Sequence, residues 1–399
     1  MTGPDRPTST AGRPDPVPGP ADHGAPHDAP LGAGGSPRRE RARAPRWLVV
    51  FVVVGLTVSV VGVVGTFVRL PYTTLSPGGA VPLSGFVRVD GGPAYPDGRG
   101  DIRLLFVRER DHVNVWEYLR ARLDSDVEIF PDKEVNPGGV PQPDLGAESQ
   151  AEMKQARTAA TVLALRAAGY DVQPAAEGVE VLAALPSRPA GDVLRAGDVI
   201  LAADGVPIAA PGDLRDPVAK HGDGESVTLD ILRDGERRTV AVGVEVRDGS
   251  PAMGVIVAPR YDFPVAVQID TRGIGGPSGG LAMTLAVLDD LTAGNLTGGK
   301  RVAVTGTIDL DGNVGEIGGI AQKAVAARAS GVDLLLVPAC VEGRSPDVEA
   351  CRRDLDIARE RAGNRVEVVP VATFEEALQA LRAAGGDPVD IVPAAGRAA

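Results

Sequence analysis

The sequence is poor in the side chains from which most metal and redox sites are built. Its 399 residues include two cysteines and four histidines, and aromatic residues make up 4%. Two of the histidines, His23 and His27, lie close to the N-terminus. This supply excludes a zinc knuckle, an iron–sulfur run or a His-Glu-x-x-His helix, and it gives little material for a histidine-based triad. We therefore expect no metal and no other cofactor.

Positive charge is also scarce. The chain has 41 basic against 53 acidic residues, a formal net charge of −12. Phosphate binding needs a basic face, so nucleic acid is not the expected partner. Only five of the basic residues are lysines. Apolar residues make up 43%, which predicts an ordered core, and the length has room for two or three domains.

The N-terminal region changes composition abruptly. Residues 1–46 contain ten prolines and seven glycines with no periodic apolar pattern, so we predict a disordered tail. Residues 47–68 carry no charge and as a helix would be about 33 Å long, enough to cross a bilayer core of about 30 Å. A cleavable signal peptide is the rival interpretation, but its apolar region is usually about 7–15 residues and ends at a small-x-small site, which is missing here.

Flanking charge predicts the orientation of this span. Arg69 alone follows it closely, whereas five arginines precede it: Arg38, Arg39, Arg41, Arg43 and Arg46. The positive-inside rule then places the tail in the cytoplasm and the remaining domains outside the cell membrane. That compartment permits disulfides, so Cys340 and Cys351 can be either a bonded pair or two free thiols.

After the apolar span, the sequence shows separate regions of strand and helix patterns, which predict an α+β multidomain protein. Residues 70–170 show strand character at 101–108 and helical character at 114–123 and 150–168, so we predict a small α/β segment. Residues 171–250 show strands, tight turns and a hairpin, 226–233 and 237–244, that turns at Asp234-Gly235. A continuous β domain is predicted there, and residues 386–399 are predicted to be a flexible C-terminus.

A motif inside the β domain resembles the PDZ domains of bacterial envelope proteases. From Leu194 to Gly205 it has the pattern Leu-x-x-Gly-Asp-x-Ile-Leu-x-x-Asp-Gly. The resemblance implies recognition of an extended peptide by strand addition along a groove. The groove is expected to be lined by Gly178, Val179, Val181 and Leu214.

The sharpest chemical signal lies further along the chain. Ser278 stands in a glycine-rich turn, 273–280, that opens an apolar helix over 281–291. Glycines allow close substrate approach, and the free N–H groups of a helix start can hold an oxyanion. A serine hydroxyl also needs a base within hydrogen-bond reach. Lys323 can supply one only if burial lowers its pKa, because an exposed lysine stays protonated.

These residues closely resemble the proteolytic domain of Lon-type serine peptidases. Ser278 follows Gly276-Pro277, a strand ends in Thr305-Gly306, and Lys323 follows a Gly-Gly helix start 45 residues after the serine. The resemblance covers residues 258–385. It implies a Ser278–Lys323 dyad, with Thr305 positioning the lysine and the turn at Gly276 forming the oxyanion hole.

The pattern departs from that family in two respects. Gly275 stands where an aspartate is common, and no ATPase module is recognisable in the sequence. We therefore predict an ATP-independent, membrane-anchored serine endopeptidase that uses no nucleotide and acts on unfolded or PDZ-selected polypeptides. Related domains form rings, so analogy suggests a homo-oligomer, with a hexamer as the implied state. The alternative is a non-catalytic PDZ adaptor with a degenerate Lon-like domain.

Overall fold

The computed structural model describes residues 45–91, 95, 101–271 and 276–389. Nearly all of the predicted disordered tail, Gly275, and residues 390–399 of the predicted C-terminal tail lie outside this description. The described part of the chain divides into two units between residues 59 and 60. Helix α1 (Arg46–Phe67) is long and apolar enough to cross a membrane. The predicted span is therefore a helix that fits a transmembrane anchor.

Mixed strands and helices make up the chain between α1 and the predicted β domain. Their bounds are β1 (Tyr72–Pro82), β2 (Val87–Asp90), β3 (Asp101–Arg110), α2 (Val115–Leu123), β4 (Glu128–Pro131), α3 (Asp132–Val135) and α4 (Gln142–Ala167). Helix α4 starts eight residues before the predicted 150, with a proline in its first turn, where the missing N–H has no cost.

The middle of the chain forms the predicted β domain. Its elements are β5 (Pro174–Ala184), β6 (Val199–Ala203), β7 (Val206–Pro207), α5 (Arg215–Val218), β8 (Ser226–Arg233), β9 (Glu236–Gly243), β10 (Glu245–Arg247), β11 (Ser250–Ala252) and β12 (Val255–Tyr261), with 3-10 turns at Pro189–Asp192 and Pro211–Leu214. The predicted hairpin is confirmed as β8 and β9. Its turn residues Asp234 and Gly235 both have positive φ, as a type I′ hairpin turn requires.

The C-terminal part alternates short strands with helices. Its elements are β13 (Ala266–Ile269), α6 (Gly280–Leu291), β14 (Arg301–Val304), β15 (Thr307–Ile308), β16 (Val314–Gly315), α7 (Ile320–Ala329), β17 (Leu334–Pro338), α8 (Val348–Ala362), β18 (Glu367–Val371) and α9 (Phe374–Ala383), with a 3-10 turn at Pro277–Gly279. Cys340 and Cys351 form a disulfide, which decides between the two alternatives that the sequence left open.

The main sheet joins two chain segments for which the sequence predicts different domains, residues 70–170 and residues 258–385. Its strand order is β18-β17-β14-β3-β1-β4, and β3 pairs in parallel with β14. The predicted α/β segment 70–170 therefore supplies half of the strands in the sheet of the C-terminal domain. The physical reason is that β3 is buried on both sides, with Ile102, Leu104 and Leu105 at most 3% exposed, and needs covered neighbours.

The largest hydrophobic core lies on one face of this sheet. Helices α4 and α6 pack together there, through Val162 and Leu165 of α4 and Leu281, Leu285 and Leu288 of α6, all inaccessible to solvent. The first part of the chain thus contributes a strand and a helix to the core that supports the Ser278 turn.

The β domain has its own sheet and its own core. The strand order is β12-β5-β6-β8-β9, with β7 on β6, and the core includes Val179, Ile200, Leu229 and Ile231. Strand β12 was not predicted as part of this domain. The predicted start of the Lon-like region at residue 258 falls inside that strand, so the structural boundary lies after Tyr261.

Candidate active site

The serine turn rests on the strand contributed by the first part of the chain. Ser278 is half-buried in the 3-10 turn Pro277–Gly279, which leads directly into α6. A Cβ added at Gly279 would lie 2.5 Å from Cδ1 of the buried Leu104 in β3, so only glycine permits this approach. Gly276 precedes the turn with a φ of 85°, a conformation that favours glycine.

Two donors hold the backbone of the serine. The carbonyl oxygen of Ser278 accepts the N–H of Gly306 at 2.8 Å and the Thr305 hydroxyl at 3.3 Å. Both donors follow the end of β14, and Thr305 is fully buried. The hydrogen bond that the structure gives to the Thr305 hydroxyl therefore goes to the serine backbone, whereas the family resemblance implied a bond to the lysine.

The lysine lies within reach of the serine hydroxyl. Lys323 Nζ is 3.0 Å from Ser278 Oγ, and the lysine is only 3% exposed. It projects from the first turn of α7, next to the buried Ala324 and Val325. Desolvation by this burial lowers the pKa of Lys323 to about 8. Burial is the one cause of this shift, and among the described residues no carboxylate acts on the ammonium to oppose it.

This pair has the properties of a nucleophile and its base. An amine with a pKa of about 8 is uncharged in about one molecule in ten at pH 7, and the uncharged form can accept the hydroxyl proton. The N–H groups of Ser278 and Gly279 stand at a helix start, where backbone donors lack an intrahelical partner. Pro277 has no N–H, so it cannot serve as an oxyanion donor.

A cavity of about 480 Å³ adjoins the serine turn. Helix α4, strand β12 and the residues after Thr305 enclose it. Its lining is mainly apolar and includes Ala156, Ala159, Ala258, Pro259, Tyr261, Pro277 and Ile308, with Glu152 and Asp311 among its charged members. The β domain and the C-terminal domain therefore share one cavity beside Ser278.

The predicted peptide groove at β5 is wrong in its location. Strand β5 pairs with β12 on one edge and with β6 on the other, so no edge is open at Gly178–Val181. Val179, Val181 and Leu214 are buried in the domain core, and Gly178 N–H already donates to the carbonyl of Ile208. Strand β12 lies at one end of the sheet, next to β5, and it contacts the 3-10 turn Pro211–Leu214.

Comparison with known families agrees with this two-part architecture. Residues 152–244 match the family model for the PDZ domain. Residues 268–380 match that for the Lon protease (S16) C-terminal proteolytic domain. The chain therefore carries a PDZ domain and a Lon-type proteolytic domain, both recognised in the sequence analysis.

Individual relatives match over part of their length only. The Lon protease of Clostridioides difficile is 36% identical over 104 residues, 26% of this chain and 12% of that relative. The Lon protease of Rhizobium meliloti is 27% identical over 252 residues, 62% of this chain and 30% of that relative. Among solved structures, the PDZ domain of an SdrC-like protein from Listeria innocua is 23% identical over 20% of this chain and 93% of its own, with a TM-score of 0.20.

Proposed function

We propose that this chain is a membrane-anchored serine endopeptidase in which Lys323 activates Ser278. The single observation that carries the proposal is the 3.0 Å separation of Lys323 Nζ and Ser278 Oγ in a site that excludes water from the amine. A solvated lysine would be a protonated surface residue. The Lon-type proteolytic domain supports the same reaction class.

The reaction is acyl transfer. The amine of Lys323 takes the proton of Ser278 Oγ while Oγ forms a bond to the peptide carbonyl carbon, and the N–H groups of Ser278 and Gly279 hold the oxyanion. The C–N bond then breaks, and the ammonium returns its proton to the leaving amine. Water, deprotonated by the same amine, hydrolyses the ester and regenerates the serine. No nucleotide enters these steps.

Substrate selection is proposed to involve the outer edge of β12. An exposed strand edge can accept an extended peptide as a further strand, and the turn Pro211–Leu214 flanks this one. Strand β12 also supplies Ala258, Pro259 and Tyr261 to the cavity beside Ser278. A polypeptide held there would lie close to the nucleophile. Because strand addition requires an extended backbone, the preferred substrates would be loose or unfolded chains.

We further propose that α1 crosses the cell membrane with the PDZ and proteolytic domains on the outer side, and that the protein assembles as a homo-oligomer. The orientation rests on the arginines before the span. An extracytoplasmic location is compatible with the Cys340–Cys351 disulfide. The assembly rests on analogy with ring-forming relatives alone.

The decisive experiment compares full-length protein with Ser278→Ala, Lys323→Met and Lys300→Met on an unfolded protein substrate. Losing the nucleophile or its base should lower kcat/KM by at least about a hundredfold, whereas Lys300→Met, a matched lysine substitution in a turn after α6, should leave it unchanged. Turnover that survives in Ser278→Ala would refute the proposal. No turnover in any of the four proteins would favour the PDZ adaptor.

The pH dependence gives an independent check on the base. Because the uncharged amine is the active form, kcat/KM should rise tenfold per pH unit below the Lys323 pKa of about 8 and level off above it. A substitution to arginine keeps the site charged at every accessible pH, so Lys323→Arg should be inactive throughout. A rate that falls between pH 7 and 9 would contradict the assigned role.

A further inference from the structure

Helix α2 presents an apolar stripe to solvent. Trp116, Leu119 and Leu123 are 42%, 48% and 90% exposed. They are spaced three and then four residues apart, which places them on one face of a helix. The opposite side of the helix faces the domain, where Ala121 is buried. A short helix in an aqueous domain gains nothing from three large apolar side chains on its solvent face.

The first residue of the stripe, Trp116, contacts the C-terminal part of α1. Trp116 Nε1 donates a hydrogen bond to the carbonyl of Gly62 at 2.9 Å. A Cβ added at Gly65, one turn further along α1, would lie 2.6 Å from the same indole nitrogen. Gly62 precedes the last residue of α1, Phe67, by five positions, which is about 7–8 Å along a helix axis. The indole is therefore level with the last part of the apolar helix and not beyond it.

The position of Trp116 along α1 indicates that the apolar stripe of α2 faces lipid. If α1 crosses the bilayer, a side chain level with Gly62 lies in the outer part of the leaflet, at the depth of about 5–10 Å to which an interfacial helix buries its apolar face. Leu119 and Leu123 continue from Trp116 along the same face. Arg120 and Arg122 are exposed in the last turn of α2, and among the described residues no carboxylate pairs with them. Long cationic side chains in this position can reach lipid phosphates.

We propose that α2 is an interfacial helix that inserts Trp116, Leu119 and Leu123 into the membrane leaflet from which α1 emerges. This rests on the proposed anchoring of α1. The partner is the lipid surface itself, recognised by an apolar stripe with flanking arginines. Such a contact would hold the domains of residues 70–389 close to the bilayer, so that the peptidase acts on chains at the membrane surface.

The two tryptophans of the chain make the test specific. Full-length protein is reconstituted in vesicles of phosphatidylcholine and phosphatidylglycerol whose acyl chains carry bromine, a quencher of indole fluorescence, either near the headgroup or near the chain end. In Trp47→Phe, the emission of Trp116 should fall, and more strongly with bromine near the headgroup. In Trp116→Phe, quenching of Trp47 reports whether α1 is inserted.

A tryptophan moved along the stripe tests the proposal without the Gly62 contact. In the background of Trp47→Phe and Trp116→Phe, Leu123→Trp should be quenched by headgroup-proximal bromine. The matched control is Val246→Trp, an exposed apolar position in the PDZ domain that is 40% accessible, which should keep its emission.

Each contrary outcome has a definite meaning. Quenching of Trp47 without quenching at positions 116 and 123 would overturn the interfacial helix and leave the membrane anchor intact. No quenching of Trp47 would overturn the anchor and the interfacial helix together, while the Ser278→Ala comparison would still test the peptidase. Emission at position 123 that changes with protein density and not with bromine would assign the stripe to self-association and refute lipid contact.

Discussion

The PDZ domain and the proteolytic domain differ in how the chain builds them. The PDZ sheet runs through one continuous stretch, from β5 to β12, and encloses its own core. The main sheet takes β1, β3 and β4 from before that stretch and β14, β17 and β18 from after it. The proteolytic domain is therefore discontinuous, and the PDZ domain is inserted into it.

The ends of the insertion explain how both domains coexist. Pro174 at the start of β5 and Tyr261 at the end of β12 are cross-strand partners, which places their Cα atoms about 4.5–5.5 Å apart. A domain whose ends meet can be inserted into another fold at little cost to either. The Ser278 site therefore depends on residues far away in sequence, whereas the PDZ fold does not.

The two domains should differ most in whether they fold when each is produced as a separate fragment. Residues 170–263 should fold alone, because their core is complete. Residues 264–389 should not, because β14 loses β3 and α6 loses α4. Circular dichroism and amide NMR dispersion of the two fragments would measure this.

A third protein is the control for this dissection. Joining 70–172 to 264–389 through a short Gly-Ser linker removes only the PDZ domain, so the main sheet should form again. A cooperatively folded 264–389 fragment would show that the proteolytic domain does not need its first segment.

Reduction of the disulfide should destabilise the proteolytic domain and leave the PDZ domain unchanged. This difference should be smaller than the one that dissection gives. Cys340 and Cys351 are 11 positions apart, and closing a loop of this size stabilises a fold by about 3 kcal/mol in the chain-entropy description. Reduction should therefore accelerate hydrogen exchange in β17 and α8 by about a hundredfold, with β8 and β9 of the PDZ domain unchanged.

A double variant, Cys340→Ser with Cys351→Ser, should reproduce the effect of reduction and become insensitive to reductant. Equal acceleration in both domains would mean that they unfold as one unit, and the proposed independence of the PDZ domain would fail.

Local sequence patterns predict the elements whose structure depends mainly on residues nearby in the chain. The span, the hairpin β8–β9 and helix α6 follow from hydropathy, an Asp-Gly turn and a glycine-rich helix start. The serine and lysine were recognisable because a family motif marks each of them. In the structure, Lys323 Nζ and Ser278 Oγ lie 3.0 Å apart.

Strand partners, by contrast, could not be predicted from local patterns. Nothing around residues 101–110 indicates that β3 pairs with β14, almost 200 positions later. Likewise, the apolar run of residues 255–258 does not reveal that β12 covers the edge of β5. Long-range pairing decides which strand edge is open, and here it covers both edges of β5, the strand at which the sequence predicts the groove. Pro259 within β12 is the sequence signal that marks this strand as an edge, because proline is excluded from central strands.

A single substitution at Gly306 should affect the proteolytic domain and not the PDZ domain. It is the smallest effect that we predict. Its φ is 153°, and an added Cβ would lie 2.7 Å from Val314 Cγ1. Alanine there should cost about 2 kcal/mol in the free energy of unfolding of the proteolytic domain. Since the Gly306 N–H holds the Ser278 carbonyl, the serine should also shift and kcat/KM should fall by about tenfold or more.

The matched control is Gly146→Ala, which lies in α4 where an added Cβ meets nothing within 4 Å. That substitution should be neutral or stabilise the helix by about 0.5–1 kcal/mol. Peptide binding by the PDZ domain should be unchanged in both variants, because its core contains neither residue. If Gly306→Ala retained full activity, the backbone contact at Ser278 would be dispensable, and the approach of Lys323 to Ser278 would depend on α7 and the Gly279–Leu104 contact alone.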